Sequence, residues 1–446
     1  MTTPICDFVQ KYARKNALRL HMPGHKGTSF LGVEKLDITE IEGADSLYEA
    51  QEIIAQSEAN AGSLFGCDTF YSTEGSSQCI RAMLYLACLE AKQNNRKPIV
   101  AAGRNAHKTF LSAAALLDFD IMWLCPEKQS SYLSCDISAE FLEKMLSDAV
   151  EKPTAVYITS PDYLGNMADV KALARVCHKH GALLLVDNAH GAYLKFLPQS
   201  QHPIDLGADL CCDSAHKTLP VLTGGAYLHL SSNVSRLSKH AKNAMALFGS
   251  TSPSYIIMQS LDMANKYIAG GYSEKLCAFT EKVGGVKQSL VQQGYILVGS
   301  ELLKITLSTK PYGYLGTQLA QVLQSKDIVC EFCDPDFVVF MFTPQVSDSE
   351  LEYLCKALAE IPKRAAICEN PPRFSLPQKV MSVRSATFSL SETVDVKFAQ
   401  GRVLASATVG CPPAVPVVMC GERIDARAVE CFEYYGIEKC TVVSEQ

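Results

Sequence analysis

Two short apolar runs, TAVYIT (154–159) and ALLLVD (182–187), bracket a stretch whose hydrophobic residues recur at helical spacing. Val170, Leu173, Ala174 and Cys177 fall on one helix face, and Gly181 then closes the helix. Neither run alternates with polar residues, so both read as strands buried on two faces. Strand, helix and strand at this spacing make a βαβ unit, whose two strands run parallel. Upstream, Ile80, Met83, Leu84, Ala87, Cys88 and Ala91 form another helical stripe just after a Gly/Ser-rich turn. From about residue 60 to 230 the chain therefore reads as α/β, with a mainly parallel sheet covered on both faces.

At 446 residues the chain is longer than one ordinary domain. A smaller α/β unit follows from about 270 to 365, with FVVFMF (337–342) as a strand. There SDSE (347–350) is a capping box that opens a helix through Leu351, Leu354, Cys355 and Leu358. NPPR (370–373) reads as a linker to a third segment, in which GCPPAVP (410–416) holds too much proline for a central strand or helix. The expected division is an N-terminal arm and major domain over 1–270, a small α/β domain over 271–369 and a C-terminal domain over 370–446.

With a formal charge of −6 and no long run of Lys and Arg, neither nucleic acid nor an anionic membrane is the expected partner. The first twenty residues hold no apolar core of a secretory signal, and no apolar stretch approaches the roughly 20 residues needed to span a bilayer. A soluble, cytoplasmic protein is expected, and its 18 scattered cysteines then read as reduced thiols. The tightest pair, Cys330 and Cys333, lacks a second pair that would complete a zinc site, and no metal is expected; a small core hydrophobe suits most of the cysteines.

Ligands of open parallel sheets bind beyond the carboxyl ends of the strands, so strand-end residues carry the functional question. The run 182–187 ends in Asp187, followed by Asn188, Ala189 and His190. A carboxylate at the end of so apolar a strand is costly unless paired, although a solvated, capped turn would also accommodate it. Further on, DSAHKT (213–218) places Lys217 after His216, 30 residues beyond Asp187; alone it reads as a solvated loop lysine.

Together these residues belong to a longer pattern. LRLHMPGHKG (18–27), DITEIEGADSLY (37–48), RNAHKT (104–109), TSPDYLG (159–165), VDNAHGAYLKF (186–196), DSAHKTLPVLTGGAYLH (213–229), TSPSYIIMQSLD (251–262), GRVLA (401–405) and PPAVPVVMCGERI (412–424) follow one another along the chain. This ordered set resembles the ornithine/lysine/arginine decarboxylase family of fold-type I pyridoxal-phosphate enzymes, over nearly the whole chain. The resemblance implies an aspartate-aminotransferase-like major domain with a mainly parallel seven-stranded sheet. It also implies a homodimer or larger homo-oligomer with shared active sites and a small amino-acid substrate.

By that resemblance Lys217 carries pyridoxal 5′-phosphate as a Schiff base and shuttles protons at Cα. Asp187 pairs with the pyridine nitrogen and keeps it protonated, which maintains the ring as an electron sink. His107 stacks on the ring, and His190 orients Asp187 or contacts substrate; a hydrogen-bonded core histidine is the structural alternative for His190. STEGSSQ (72–78) precedes a helix, so Gly75, Ser76 and Ser77 are the phosphate donors, completed by Ser214 and His216. The stretch TSPS (251–254), with Thr251 and Ser252, resembles the donor from a neighbouring subunit.

The implied reaction is loss of CO2 from arginine, lysine or ornithine, with a tilt towards arginine because the chain resembles the short members of the family, which lack an N-terminal wing and of which many serve polyamine biosynthesis. A cationic side chain requires carboxylates, for which Asp45 and Glu422 stand inside family-like motifs. Glu74, Asn188 and the motif from Cys411 to Pro416 depart from the family pattern, as do Met419 and Cys420 before Gly421. An aminotransferase or β-eliminating lyase of the same fold, and a non-catalytic relative, are the competing readings.

Overall fold

The computed structural model describes residues 1–126, 131–372, 376–407 and 413–445. Arg373 of the linker motif and Gly410, Cys411 and Pro412 of the proline-rich motif lie outside the described residues. By contact density the chain parts into two compact units. One comprises Met1–Lys97, Thr154–Val156 and Val170–Leu276, and the other Pro98–Pro153, Tyr157–Asp169 and Cys277–Gln446.

Seven strands form the principal sheet: β1 (Asp68–Ser72), β2 (Ile99–Gly103), β3 (Asp120–Leu124), β4 (Ala155–Thr159), β5 (Leu183–Asp187), β6 (Leu210–Asp213) and β7 (Ala226–Leu230). Their order is β1-β7-β6-β5-β4-β2-β3. The sheet is mostly parallel, as in β5 with β6 and β2 with β3. Strand β7 departs from that pattern by running antiparallel to both β6 and β1. The helical stripe after β4 is the helix Val170–Lys179, with Val170, Leu173, Ala174 and Cys177 buried. Gly181 follows it at φ +64°, a left-handed conformation that glycine adopts without a Cβ penalty. The upstream stripe belongs to the helix Gly75–Gln93, which begins at the Gly/Ser-rich segment itself, so that Ser76 and Ser77 form its first turn.

In the second unit, β8 (Ile296–Val298), β9 (Lys304–Ser308), β10 (Phe332–Cys333) and β11 (Phe337–Met341) make a four-stranded sheet in the order β10-β11-β9-β8. Ser347 and Glu350 form the capping box of the helix Asp348–Ala359. Nearer the C-terminus, β12 (Ser391–Asp395), β13 (Leu404–Ser406) and β14 (Lys439–Val443) form a three-stranded sheet. Residues 413–416 adopt neither helix nor strand. Among the described residues no helix is long and apolar enough to cross a membrane.

Candidate active site

Because β5 and β6 are parallel, both present their carboxyl ends at one edge of the sheet. Asp187 closes β5 and is 2% exposed. Its Oδ1 accepts the Ala189 N–H at 3.2 Å and lies 3.6 Å from the Cys212 thiol. Strand β6 runs through Asp213 into Ser214 and the one-turn helix Ala215–Thr218. Lys217 sits in that turn and not in an open loop, half-buried, with Nζ 2.9 Å from Nε2 of His190. The tautomer of His190 sets which of the two nitrogens donates.

A hydroxyl pair lies beside this amine. Ser214 Oγ donates to Ser76 Oγ at 2.8 Å, which ties the end of β6 to the first turn of the helix Gly75–Gln93. His216 is tied in as well, since its backbone N–H and its Nδ1 meet the Gly225 carbonyl at 3.2 and 2.9 Å. The Gly75 N–H donates to Gly224 O at 2.7 Å. A Cβ on Gly224 would stand 2.8 Å from Thr73 O, so this approach needs glycine. At Gly75, φ is +70° and nothing lies within 4 Å of a Cβ position, which leaves space at a long helix's N-terminus. Such a terminus favours an anion through its N–H groups and its dipole.

Ser77 shares that turn. Thr251 and Ser252 are exposed, in a segment that stands against its own chain's turn, with Ser250 N–H directed at Glu74 Oε1 at 3.4 Å. Glu74, the departure in this turn, thus has a partner in its own chain.

His107 belongs to the second unit, where it caps the helix Lys108–Leu117. Its Nδ1 accepts the Thr109 N–H at 3.1 Å, which leaves the ring proton on Nε2. Cys330 and Cys333 flank buried Phe332, and a hydrogen bond from Cys330 brings the Cys333 thiol down to about 7.

The two carboxylates considered for a cationic substrate are both engaged elsewhere. Asp45 accepts N–H groups of Gln51, Glu52 and Ile54 at 2.7–3.1 Å, capping the helix Ile53–Phe65. Glu422 is bidentate with Arg104, at 2.6 and 3.1 Å, and both side chains are at most 5% exposed. Breaking a buried ion pair leaves an uncompensated charge, so Glu422→Ala is expected to lower unfolding stability by about 3–5 kcal/mol. Denaturant titration checks this, and a loss under 1 kcal/mol would contradict a buried structural pair.

Asn188, a further departure, is fully buried and donates from Nδ2 to Asp213 Oδ1 at 2.6 Å. A glutamate there would set two buried carboxylates against each other, so the amide suits this chain. Asp213, with His202 and His229 behind it, is the part of the site that sequence reasoning missed. The signal was present: LCCD ends an apolar strand in an acid, as ALLLVD does.

An amine beside an imidazole, a buried carboxylate at a strand end and hydroxyls at an open helix N-terminus fit pyridoxal phosphate. They would supply, respectively, a partner for its aldehyde, its pyridine nitrogen and its phosphate. Fold and donor set together define a fold-type I pyridoxal-phosphate enzyme.

The family model of the Orn/Lys/Arg decarboxylase major domain matches residues 3–294, and that of the C-terminal domain matches 371–439. The chain belongs to the Orn/Lys/Arg decarboxylase family and is a pyridoxal-phosphate-dependent amino-acid decarboxylase. The arginine decarboxylase of Bacillus subtilis is 28% identical over 460 residues, covering 95% of this chain and 91% of that protein. The arginine decarboxylase of Halalkalibacterium halodurans is also 28% identical, with the same two coverages. Among solved structures, the lysine decarboxylase of Francisella novicida superposes with a TM-score of 0.79 at 17% identity, covering 98% of this chain and 79% of that one.

Proposed function

We propose that the protein decarboxylates a basic L-amino acid, arginine before lysine or ornithine, releasing CO2 and the corresponding amine. The observation that carries this reading is the Lys217 amine held 2.9 Å from His190, three residues beyond the strand-end carboxylate Asp187. The arginine decarboxylases similar over nearly the whole chain support the choice of arginine first. When bound, pyridoxal phosphate draws off the electron pair left at Cα as the bond to the carboxylate breaks.

The chain's own residues do the rest. Lys217 would hold the cofactor aldehyde, and its amine would return a proton to Cα. His190, in contact with that amine, takes up and passes on the proton. Asp187 would keep the pyridine nitrogen protonated. Ser76 and Ser77, in the first turn of the helix, and Ser214 beside them would receive the phosphate, whereas the Gly75 N–H is spent on Gly224 O and the backbone N–H and Nδ1 of His216 on Gly225 O. The acid that reads the cationic side chain is neither Asp45 nor Glu422, because both carboxylates are engaged within the fold.

The working form is a homodimer or larger homo-oligomer in the cytoplasm, supplying polyamine precursors. Its N-terminal arm exposes Leu18, Leu20, Phe30 and Leu31 by 78–88%, an apolar surface that a second copy would cover. Thr251 and Ser252, both exposed, would then complete the neighbour's phosphate site.

A panel of L-amino acids assayed for CO2 and amine tests the reaction. Turnover of arginine without a keto-acid acceptor is expected. A keto-acid requirement would replace the decarboxylase with an aminotransferase, and sedimentation as a monomer would remove the shared site.

A further inference from the structure

A second, wholly buried polar network lies behind the carboxylate Asp187. Side chains of a strand alternate between faces, so Asp187 and its register partner Cys212 share one face while Cys211 and Asp213 share the other. Opposite Cys211 on β7 stands His229, and opposite His229 on β1 stands Thr69. Asp213, His202 and His229 have no solvent exposure. Asp213 Oδ2 accepts from Nε2 of His202 and from Nε2 of His229, each at 3.1 Å. Its Oδ1 accepts from the Asn188 amide at 2.6 Å.

Burial opposes ionisation of Asp213, but the two imidazoles outweigh it and hold the carboxyl well below the usual range. Burial likewise opposes charge on His229, and Asp213 outweighs it, so that ring is raised above its ordinary value. Nδ1 of His229 lies 3.0 Å from Thr69 Oγ1, which can accept its second proton. His202 Nδ1 has no partner among the described residues.

The same atom argues against a metal on His202, Cys211 and Asp213, whose donor atoms lie within 4.8 Å of one another. A metal on Nε2 would force a proton onto Nδ1, and histidine ligands donate that proton to an acceptor.

The network reaches the active site through Asn188. Its backbone N–H binds Cys212 O at 3.0 Å, and its side chain crosses to Asp213. Gly191 closes over the amide so tightly that a Cβ there would lie 2.0 Å from Asn188 Oδ1. We propose that Asp213 is a positioning residue of the reaction: by clamping the Asn188 amide it sets the turn that carries Asp187 on one side and His190 on the other. The inference rests on Asp187 and His190 serving the cofactor as proposed above.

A double-mutant cycle tests it, read as pyridoxal-phosphate affinity of the apoprotein alongside thermal unfolding. Asn188→Asp sets two carboxylates face to face and is expected to weaken cofactor affinity by about tenfold or more. Adding Asp213→Asn restores most of that loss, because the amide then donates from the other side. Asn188→Ala removes the clamp without adding charge and serves if Asn188→Asp does not fold; a loss of about tenfold is expected again.

Additive effects in the cycle, or lowered unfolding temperature with unchanged cofactor affinity, would overturn the inference. For Asn188→Ala, unchanged affinity does the same. A stoichiometric metal in the native protein that is lost in Asp213→Asn would also overturn it. If the wild-type protein takes up no pyridoxal phosphate, the cofactor assignment falls and the inference with it, whereas an additive cycle in a protein that binds it removes the inference alone.

Discussion

Lys217→Ala is expected to abolish decarboxylation while leaving a folded protein. The lysine performs two jobs in the proposed reaction, holding the cofactor and returning the proton, and positioned proton transfer alone contributes about 10²–10⁴-fold. Its turn is secured by other groups: Lys217 N–H bonds Ser214 O at 3.0 Å and Ser214 Oγ bonds Ser76. Alanine, a strong helix former, therefore keeps the one-turn helix. Borohydride reduction supplies a readout independent of turnover. The wild-type protein should retain the cofactor covalently on the peptide that contains Lys217, and the variant should retain none. Reduction onto a different lysine, or a variant that keeps a hundredth of the wild-type rate, would refute the assignment.

Asp187→Ala is expected to slow the reaction by about 10²–10³-fold, the usual cost of removing one preorganised electrostatic contact. Cofactor affinity should fall with it. Asp187→Asn separates charge from packing: it keeps the side chain's size at a site 2% exposed but cannot hold the pyridine proton. If Asn and Ala variants are equally slow, the charge is what matters. Steady-state rates with saturating cofactor make the comparison, and an unimpaired Asp187→Ala enzyme would end its role as partner of the ring.

The parts of this protein that are legible in its sequence are those set by neighbours along the chain. β4, the helix Val170–Lys179 and β5 follow from apolar spacing, with Gly181 as the stop. The Ser347–Glu350 capping box is likewise a local hydrogen-bond pattern. Asp187 stands where its motif places it, at the end of a buried strand. The roles given to Lys217 and His107 rest on resemblance and not on spacing, whereas that of the residues around Ser76 rests on their place at the start of a helix.

Other features were set across long separations. Glu422 is spoken for by Arg104, 318 residues away in the chain, and Asp45 by the start of a helix that its own motif does not contain. No local pattern distinguishes a carboxylate engaged in that way from one open to a substrate. The antiparallel insertion of β7 between β1 and β6 is of the same kind, because strand order is decided by which apolar faces pack together. That insertion brings His229 against Asp213 and makes the buried charge tolerable.

By itself the sequence determined the α/β alternation, the strand-end acid and, through its ordered motifs, the family and the cofactor. Only the tertiary structure decided that Asp45 and Glu422 are engaged, why an amide suits position 188, and that Asp187 and Asp213 occupy opposite faces of one sheet edge. The physical reason is that periodicity is a short-range property of the chain, whereas pairing a buried charge requires groups that only packing brings within hydrogen-bonding distance.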